Sequence, residues 1–345
     1  MAILAVVTSS PPGVEGGHLV IARALVRAAR AEGHEAHLVV TPDNGFGRQR
    51  SSYLANWRTN VTTIDGSHVD QVISLRYPSF AVRHPRHVCW LNHTMREYYD
   101  LWPRFSASLS PPNRIKESLR RSAIHAADRW LLKRNVTEVV AQSRTIQRRL
   151  ADELNIAAEV LHPPPPLEGY RCDGYGDYIF AVSRLTPLKR MDLIVQALAE
   201  DAARHVKLVI AGEGESREAL ESLARAVGVA DRVMFLGGID EPTLLDHLAR
   251  CRAVCFVPFA EDYGFVTVEA FASRKAIVTA LDSGGPTEIV RDAANGFVCE
   301  PAPRSIATAL ARLTDDVALA ERLGARALAH VATMTWPDAI RRLII

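Results

Sequence analysis

The sequence predicts two doubly wound α/β domains in tandem. Three observations carry this. Strand–turn–helix alternation recurs along the chain, a proline run interrupts it once near the middle, and glycine-bearing turns recur where apolar strands end. The chain has 345 residues, and at about 150 residues per domain its length alone suggests two. Each half is long enough to bury its own core.

The first strand spans residues 3–7, a continuous apolar run of the kind buried on both faces of a parallel sheet. A loop containing Pro11, Pro12, Gly13, Gly16 and Gly17 follows. The helix over 18–31 places Leu19, Ala22, Val26 and Ala29 on one face. Gly33 stops it and 37–40 is the next strand, which completes a βαβ unit with a right-handed connection. Strands over 71–75, 88–91 and 138–141 continue the domain. His162 is followed by Pro163, Pro164, Pro165 and Pro166. Four prolines propagate neither a helix nor a central strand, so the boundary falls there, between domains 1–163 and 164–345. Beyond it the alternation restarts. Strands are predicted at 178–182, 206–211, 233–236, 253–257 and 276–279, with helices over 191–198, 217–227, 243–249 and 266–273. Ligands of such sheets bind beyond the carboxyl ends of the strands, so the loops there are the candidate sites.

Composition narrows the classes. Lys plus Arg minus Asp plus Glu is 41 − 39 = +2, so global charge favours no polyanion, and basic residues cluster on one helix without a nucleic-acid reading motif. Five cysteines, an odd number, fit a reducing cytosol better than a disulfide framework. Cys251 and Cys255 read as small buried side chains, because no second Cys/His pair completes a metal site. Residues 1–7 read as a buried strand and not a targeting segment. No apolar run is long enough to span a membrane.

Five loops carry candidate chemistry. Gly13-Val14-Glu15-Gly16-Gly17 precedes a helix N-terminus, where paired glycines and unpaired N–H groups suit a phosphate; a tight turn without ligand is the alternative. Arg184 and Lys189 flank a turn after the 178–182 strand, which suits a diphosphate clamp or, more plainly, a solvated basic turn. Gly212-Glu213-Gly214 permits close approach to a base or phosphate, or is a structural turn. Glu261 and Glu269 lie eight positions apart around Gly264, one in a loop and one a turn inside the next helix. Such spacing suits amides on one part of a ligand and a carboxylate on vicinal hydroxyls of another. Paired acids also suit a glycosidase, but that leaves the phosphate-type loops unexplained. Ser283-Gly284-Gly285-Pro286-Thr287-Glu288 is a fifth glycine-rich turn, with Glu288 opening a helix.

Taken together these residues resemble retaining glycosyltransferase family 4, the group 1 glycosyl transferases. Glu261 and Glu269, with Tyr263-Gly264 between them, resemble the family's Glu-x7-Glu motif. Ser283 to Glu288 resembles its second glycine-rich loop, Ser183-Arg184-Leu185 with Lys189 its diphosphate clamp, Gly212-Glu213-Gly214 its Gly-Asp/Glu-Gly turn, and Gly16-Gly17 its amino-terminal loop. The likeness is strong in the carboxyl half and loose in the amino half.

The resemblance implies a GT-B fold, two facing Rossmann-like parallel-sheet domains with an interdomain cleft. It implies a retaining transferase that moves a sugar from a nucleotide-diphosphate donor, UDP- or GDP-sugar first, to a hydroxyl acceptor such as a saccharide or lipid-linked glycan, with no metal and no further cofactor. Arg184 and Lys189 would neutralise the leaving diphosphate, and Glu269 would hold the ribose. Glu261, with the backbone of Tyr263, Gly264, Phe265 and Val266, would hold the donor sugar. Gly212 and Gly214 would line the donor site, and Gly16 and Gly17 would approach it from the first domain. His93, at the carboxyl edge of the 88–91 strand, would bind the donor sugar or align the acceptor, with Arg96 and Tyr98 on the acceptor side; Tyr99 and Trp102 suit the core. The chain ends soon after Thr335-Trp336-Pro337, so the helix with which family members cross back to the first domain is expected to be short or missing, its last residues at most packing back.

Residues 113–134 place Arg114, Lys116, Arg120, Arg121, Arg129, Lys133 and Arg134 against Glu117 and Asp128, with Ile115, Leu119, Ala123, Ala126 and Trp130 at helical spacing. A basic amphipathic helix of this kind lies on anionic lipid or packs on its own domain. The protein is thus expected to be cytoplasmic, with weak peripheral contact at the inner membrane face. Competing readings are another GT-B enzyme, a phosphorylase or nucleotide-sugar epimerase, and a non-catalytic nucleotide-sugar-binding subunit. No pyridoxal-phosphate lysine motif supports the phosphorylase, and the intact carboxylates and clamp oppose the silent subunit.

Overall fold

A computed structural model describes residues 1–11 and 16–345. Pro12, Gly13, Val14 and Glu15, which include most of the first glycine loop, lie outside the described residues. The chain divides into two compact units, Met1–Pro163 with Thr335–Ile345, and Pro164–Met334.

The first unit runs β1 (Ile3–Ser10), α1 (Gly17–Ala31), β2 (Glu35–Pro42), α2 (Gln49–Arg58), a short antiparallel ribbon of β3 (Thr63–Ile64) and β4 (Ser67–His68), β5 (Gln71–Arg76), β6 (His87–His93), α3 (Trp102–Ala107), α4 (Pro111–Asn135), β7 (Glu138–Ala141), α5 (Arg144–Leu154) and β8 (Glu159–Val160). Its main sheet has the order β2-β1-β5-β6-β7-β8, with every pair parallel. Leu4 to Val7 and Val88 to Leu91 are fully buried, as their unbroken apolar runs require of strands covered on both faces.

The second unit runs β9 (Tyr178–Val182), α6 (Met191–Ala197), β10 (Lys207–Ala211), α7 (Arg217–Ala226), β11 (Val233–Gly237), α8 (Glu241–Arg250), β12 (Ala253–Cys255), α9 (Phe265–Ala272), β13 (Ile277–Ala280), α10 (Pro286–Ile289), β14 (Gly296–Cys299), α11 (Pro303–Asp315) and α12 (Val317–Val331). Its order is β11-β10-β9-β12-β13-β14, again all parallel. The order reverses between β9 and β12, and a crevice at such a switch point is where open α/β sheets place ligands.

The last helix is short and packs back on the first unit: α13 (Trp336–Leu343) has eight residues and belongs with Met1–Pro163. Gln71 Nε2 donates to the Leu343 carbonyl at 2.6 Å and the Ile345 N–H donates to Gln71 Oε1 at 3.0 Å. Arg342 binds the carboxylates of Glu138 and Glu159, and Trp336 meets buried Trp90 edge to face at 6.3 Å. Gln71, Glu138 and Glu159 all open strands, so the helix sits at the amino edge of the first sheet, away from its ligand-facing end. The sequence after 335 offers one turn signal and eight helical residues, too little periodicity to reveal the docking.

All five cysteines are free, with Cys251 and Cys255 buried. Among the described residues no helix is long and apolar enough to cross a membrane.

Candidate functional site

Three loops meet beyond the carboxyl ends of β9, β12 and β13, joined backbone to backbone. The Phe259 N–H donates to the Leu188 carbonyl at 2.8 Å, Ala260 to Asp282 at 2.9 Å, Glu261 to Ser283 at 2.8 Å and Gly285 to Glu261 at 2.8 Å. The glycines follow from this. Gly284 has φ +74°, and a Cβ there would stand 2.5 Å from the Glu261 carbonyl; one on Gly285 would stand 2.5 Å from Tyr263 Cα. No side chain fits between strands of backbone so close.

Arg190 locks the same three loops. It holds a left-handed φ of +49°. Its guanidinium donates to the carbonyls of Val257 and Pro258 at 2.8 Å and takes both oxygens of Asp282 at 2.8 and 2.7 Å. Sequence reading missed this residue and Asp282. The only signal was a third cation after Arg184 and Lys189, and nothing in the spacing says which cation is structural.

Gly212 and Gly214 join this layer from the β10 side. A Cβ on Gly212 would lie 1.8 Å from the Ser183 carbonyl oxygen and one on Gly214 2.3 Å from that of Leu185. The close approach these glycines allow is therefore to the 183–185 backbone. The Leu185 N–H donates to the Glu213 carbonyl at 2.8 Å.

Within this frame Lys189 and Glu261 face each other. Lys189 Nζ donates to Glu261 Oε2 at 2.6 Å, with both side chains mostly buried, and the ammonium stands 5.6 Å over the Phe256 ring. Arg184, on the same loop, is exposed and has no side-chain partner among the described residues. Gly264, at φ +81°, opens α9 without a capping side chain. The first-turn N–H groups of Phe265 and Val266 thus present the partial positive charge of a helix start.

Glu269 lies one turn further in. It is 7% exposed, and among the described residues no donor reaches its carboxylate. Burial, with a smaller contribution from the like charge of Glu241, pushes its pKa up to about 7. A buried carboxylate without donors is unfavourable, and paired hydroxyl donors are the chemistry that relieves it. Tyr263 enters the loop through its backbone alone. Its ring is 3% exposed and packs in the core beside Phe256 and Phe271.

In the first unit, Gly16 caps α1 at extended backbone and Gly17 begins the helix. His93 ends β6, half-buried, with its carbonyl accepting from the Tyr77 N–H at 3.0 Å. Arg96 and Tyr98, expected on the acceptor side, are buried and bound to carboxylates of their own unit. The Arg96 guanidinium holds Asp100 at 2.7 Å, and Asp100 also pairs with Arg149 at 3.0 Å. Tyr98 is fully buried, donates to Glu117 Oε2 at 2.7 Å and stacks under Phe46 at 5.5 Å. Tyr99 donates to Asp128 at 2.6 Å, and Tyr53 donates to the other oxygen of that carboxylate. Asp128 is 1% exposed, and burial outweighs both donors, raising its pKa to about 7. This network has no sequence signature, since its members are 75 and 29 positions apart.

Comparison with known proteins places this geometry. Residues 173–330 match the family model described as glycosyl transferases group 1. The D-inositol 3-phosphate glycosyltransferase of Streptomyces griseus subsp. griseus is 32% identical over 168 residues, 45% of this chain and 35% of that enzyme. The match thus spans little more than a third of that relative's length. The fold extends further than the sequence likeness. Sucrose-phosphate synthase of Thermosynechococcus elongatus superposes at a TM-score of 0.74 with 14% identity, over 98% of this chain and 96% of the other. Anabaena HepE in complex with UDP-glucose superposes at 0.71 with 16% identity, over 98% of both chains. The fold class is that of these GT-B glycosyltransferases, and residues 173–330 are similar to the glycosyl transferases group 1 family.

Proposed function

We propose that the protein transfers a sugar from a nucleotide-diphosphate donor, a UDP- or GDP-sugar, to a hydroxyl acceptor with retention of anomeric configuration. The observation that carries this is Glu269, a buried carboxylate with no donor among the described residues, set one turn inside the helix that starts beside the Lys189–Glu261 pair. Glu269 takes the ribose hydroxyls. Arg184 and Lys189, with the first amides of α9, meet the diphosphate, and Glu261 with the 263–266 backbone meets the sugar. Lys189 leaves the Glu261 carboxylate as the diphosphate arrives, which frees that carboxylate to accept from sugar hydroxyls. Catalysis then rests on stabilising negative charge as the diphosphate departs, and that charge is met by side chains and backbone with no metal ion. The leaving phosphate takes the acceptor's proton on the face it departs from, which gives retention.

The acceptor is assigned to the first unit, with His93 at the end of β6. A saccharide, a lipid-linked glycan or a phosphorylated polyol fits the class; the last is the acceptor named for the Streptomyces relative. The protein is assigned to the cytoplasm, with peripheral contact at the membrane through the basic helix.

The test is incubation with UDP- and GDP-sugars and a panel of acceptors, with the product anomer read by NMR. Transfer with the donor's own anomeric configuration is expected. An inverted product removes the same-face mechanism, and turnover unchanged in Glu269→Ala removes the assigned site.

A further inference from the structure

α4 turns its charges in an orderly way. Its two acidic residues, Glu117 and Asp128, face inward, where Tyr98 and the Tyr53–Tyr99 pair bind them. The apolar stripe faces out, with Ile115 67%, Leu119 70% and Trp130 52% exposed. α2, which has no acidic residue, adds exposed Leu54, and the preceding loop adds exposed Phe46. Between the two helices runs a groove of about 980 Å³. Tyr53, Ile115 and Leu119 line its apolar side, and Arg48, Arg50 and Lys116, none with an ion-pair partner among the described residues, line its rim. At the far end of α4, Trp130 stacks on Trp57 at 5.5 Å, with Arg134 over one ring and Arg83 over the other.

An apolar face this concentrated marks an interaction surface. Its charge selects the partner, because the outward residues of both helices include cations and no anions. Tryptophan bordered by arginine is the composition that settles at a bilayer interface, where the ring takes the apolar side and the cation the phosphate.

We propose that the α2–α4 face docks on an anionic lipid bilayer, with a lipid phosphate seated between Arg48, Arg50 and Lys116 and its hydrocarbon laid along Ile115 and Leu119. This deepens the peripheral contact assigned above and rests on that reading. It replaces one amphipathic helix by a two-helix face with a headgroup seat. The face lies wholly in the first unit, apart from the residues assigned to the nucleotide, so the two assignments fail separately.

The experiment is flotation of the full chain with phosphatidylcholine vesicles, with and without phosphatidylglycerol, alongside nucleotide binding by the same samples. The protein floats with the anionic vesicles and is released by salt. Each of Arg50→Ala and Lys116→Ala weakens binding about fivefold, and Leu119→Asp abolishes it. All three side chains are exposed, so the variants stay folded, and each binds nucleotide as the wild type does. Equal flotation with neutral vesicles, or flotation of Leu119→Asp like the wild type, overturns the proposal. So does loss of self-association in Leu119→Asp without vesicle binding by the wild type, which gives the face to a second copy of the chain. Flotation as expected by a protein that binds no nucleotide removes the transferase reading and leaves the docking face standing.

Discussion

The two units share a parallel-sheet architecture but hold their loops in opposite ways. In the second unit, loops bind loops through backbone, and the contact is so close that glycine is required at 212, 214, 284 and 285. In the first, loops and helices are tied by buried side chains, Tyr53 and Tyr99 on Asp128, Tyr98 on Glu117, and Arg96 and Arg149 on Asp100. The first manner fixes the positions of amides and of the few side chains that the proposed function assigns to a nucleotide. The second leaves the surface composition free to vary with the partner.

Glycine substitution should separate the units most sharply. Gly212→Ala drives a Cβ into the Ser183 carbonyl at φ +126° and should cost more than about 3 kcal/mol, seen as collapse of the thermal midpoint and loss of nucleotide binding. Gly45→Ala in the first unit, at φ +79° with nothing within 4 Å, should cost only about 1 kcal/mol. Equal costs would end the distinction.

Polar truncation comes next. Arg190→Ala removes the cation shared by three loops and should destabilise by about 2 kcal/mol while weakening donor binding, as calorimetry would report. Tyr98→Phe removes one of the two side chains that donate to Glu117, leaving Arg120, and should cost about 1 kcal/mol with donor binding intact. If Tyr98→Phe instead weakens the donor, the first unit's network is not merely structural.

On turnover, Lys189→Ala should lower kcat about a hundredfold or more, beyond its effect on donor affinity, because charge on the diphosphate grows in the transition state. Equal loss in both would reduce Lys189 to a binding role.

A further effect is in pH. Glu269 and Asp128 both hold their protons to about 7 when folded, against ordinary values of 4.5 and 3.8. Between those limits the folded state binds more protons than the unfolded one, so stability falls as pH rises from about 4 to about 7 and then levels. Glu269→Gln and Asp128→Asn should each flatten part of that slope and raise the midpoint at pH 8 by a few degrees. A slope unchanged in both variants places the titration elsewhere.

What was legible in the sequence follows from the same contrast. The strands between 178 and 280 and the glycine turns could be read because buried parallel strands are apolar runs and because loops in backbone contact admit only glycine. Arg190 and Asp282 escaped notice because a structural Arg–Asp pair 92 positions apart looks like any other charges on a line. Arg96 and Tyr98 were placed with the acceptor by resemblance alone, and the burial that ties them to Asp100 and Glu117 has no mark in the sequence. α13 was hidden by its brevity. The outward stripe of α4 was visible at helical spacing, yet whether it faced core or solvent depended on α2, which the sequence did not reveal.

The central claim is that Glu269 receives the donor's ribose. Titration calorimetry of a ribonucleoside diphosphate against its 2′- and 3′-deoxy forms tests it most directly, in the wild type and in Glu269→Gln. Hydrogen bonds to a charged group contribute about 1.5–3 kcal/mol, so the wild type should prefer the ribo form by about 10- to 150-fold. The variant should lose most of that preference. Wild-type binding that ignores the hydroxyls, or a preference that survives intact in Glu269→Gln, contradicts the account.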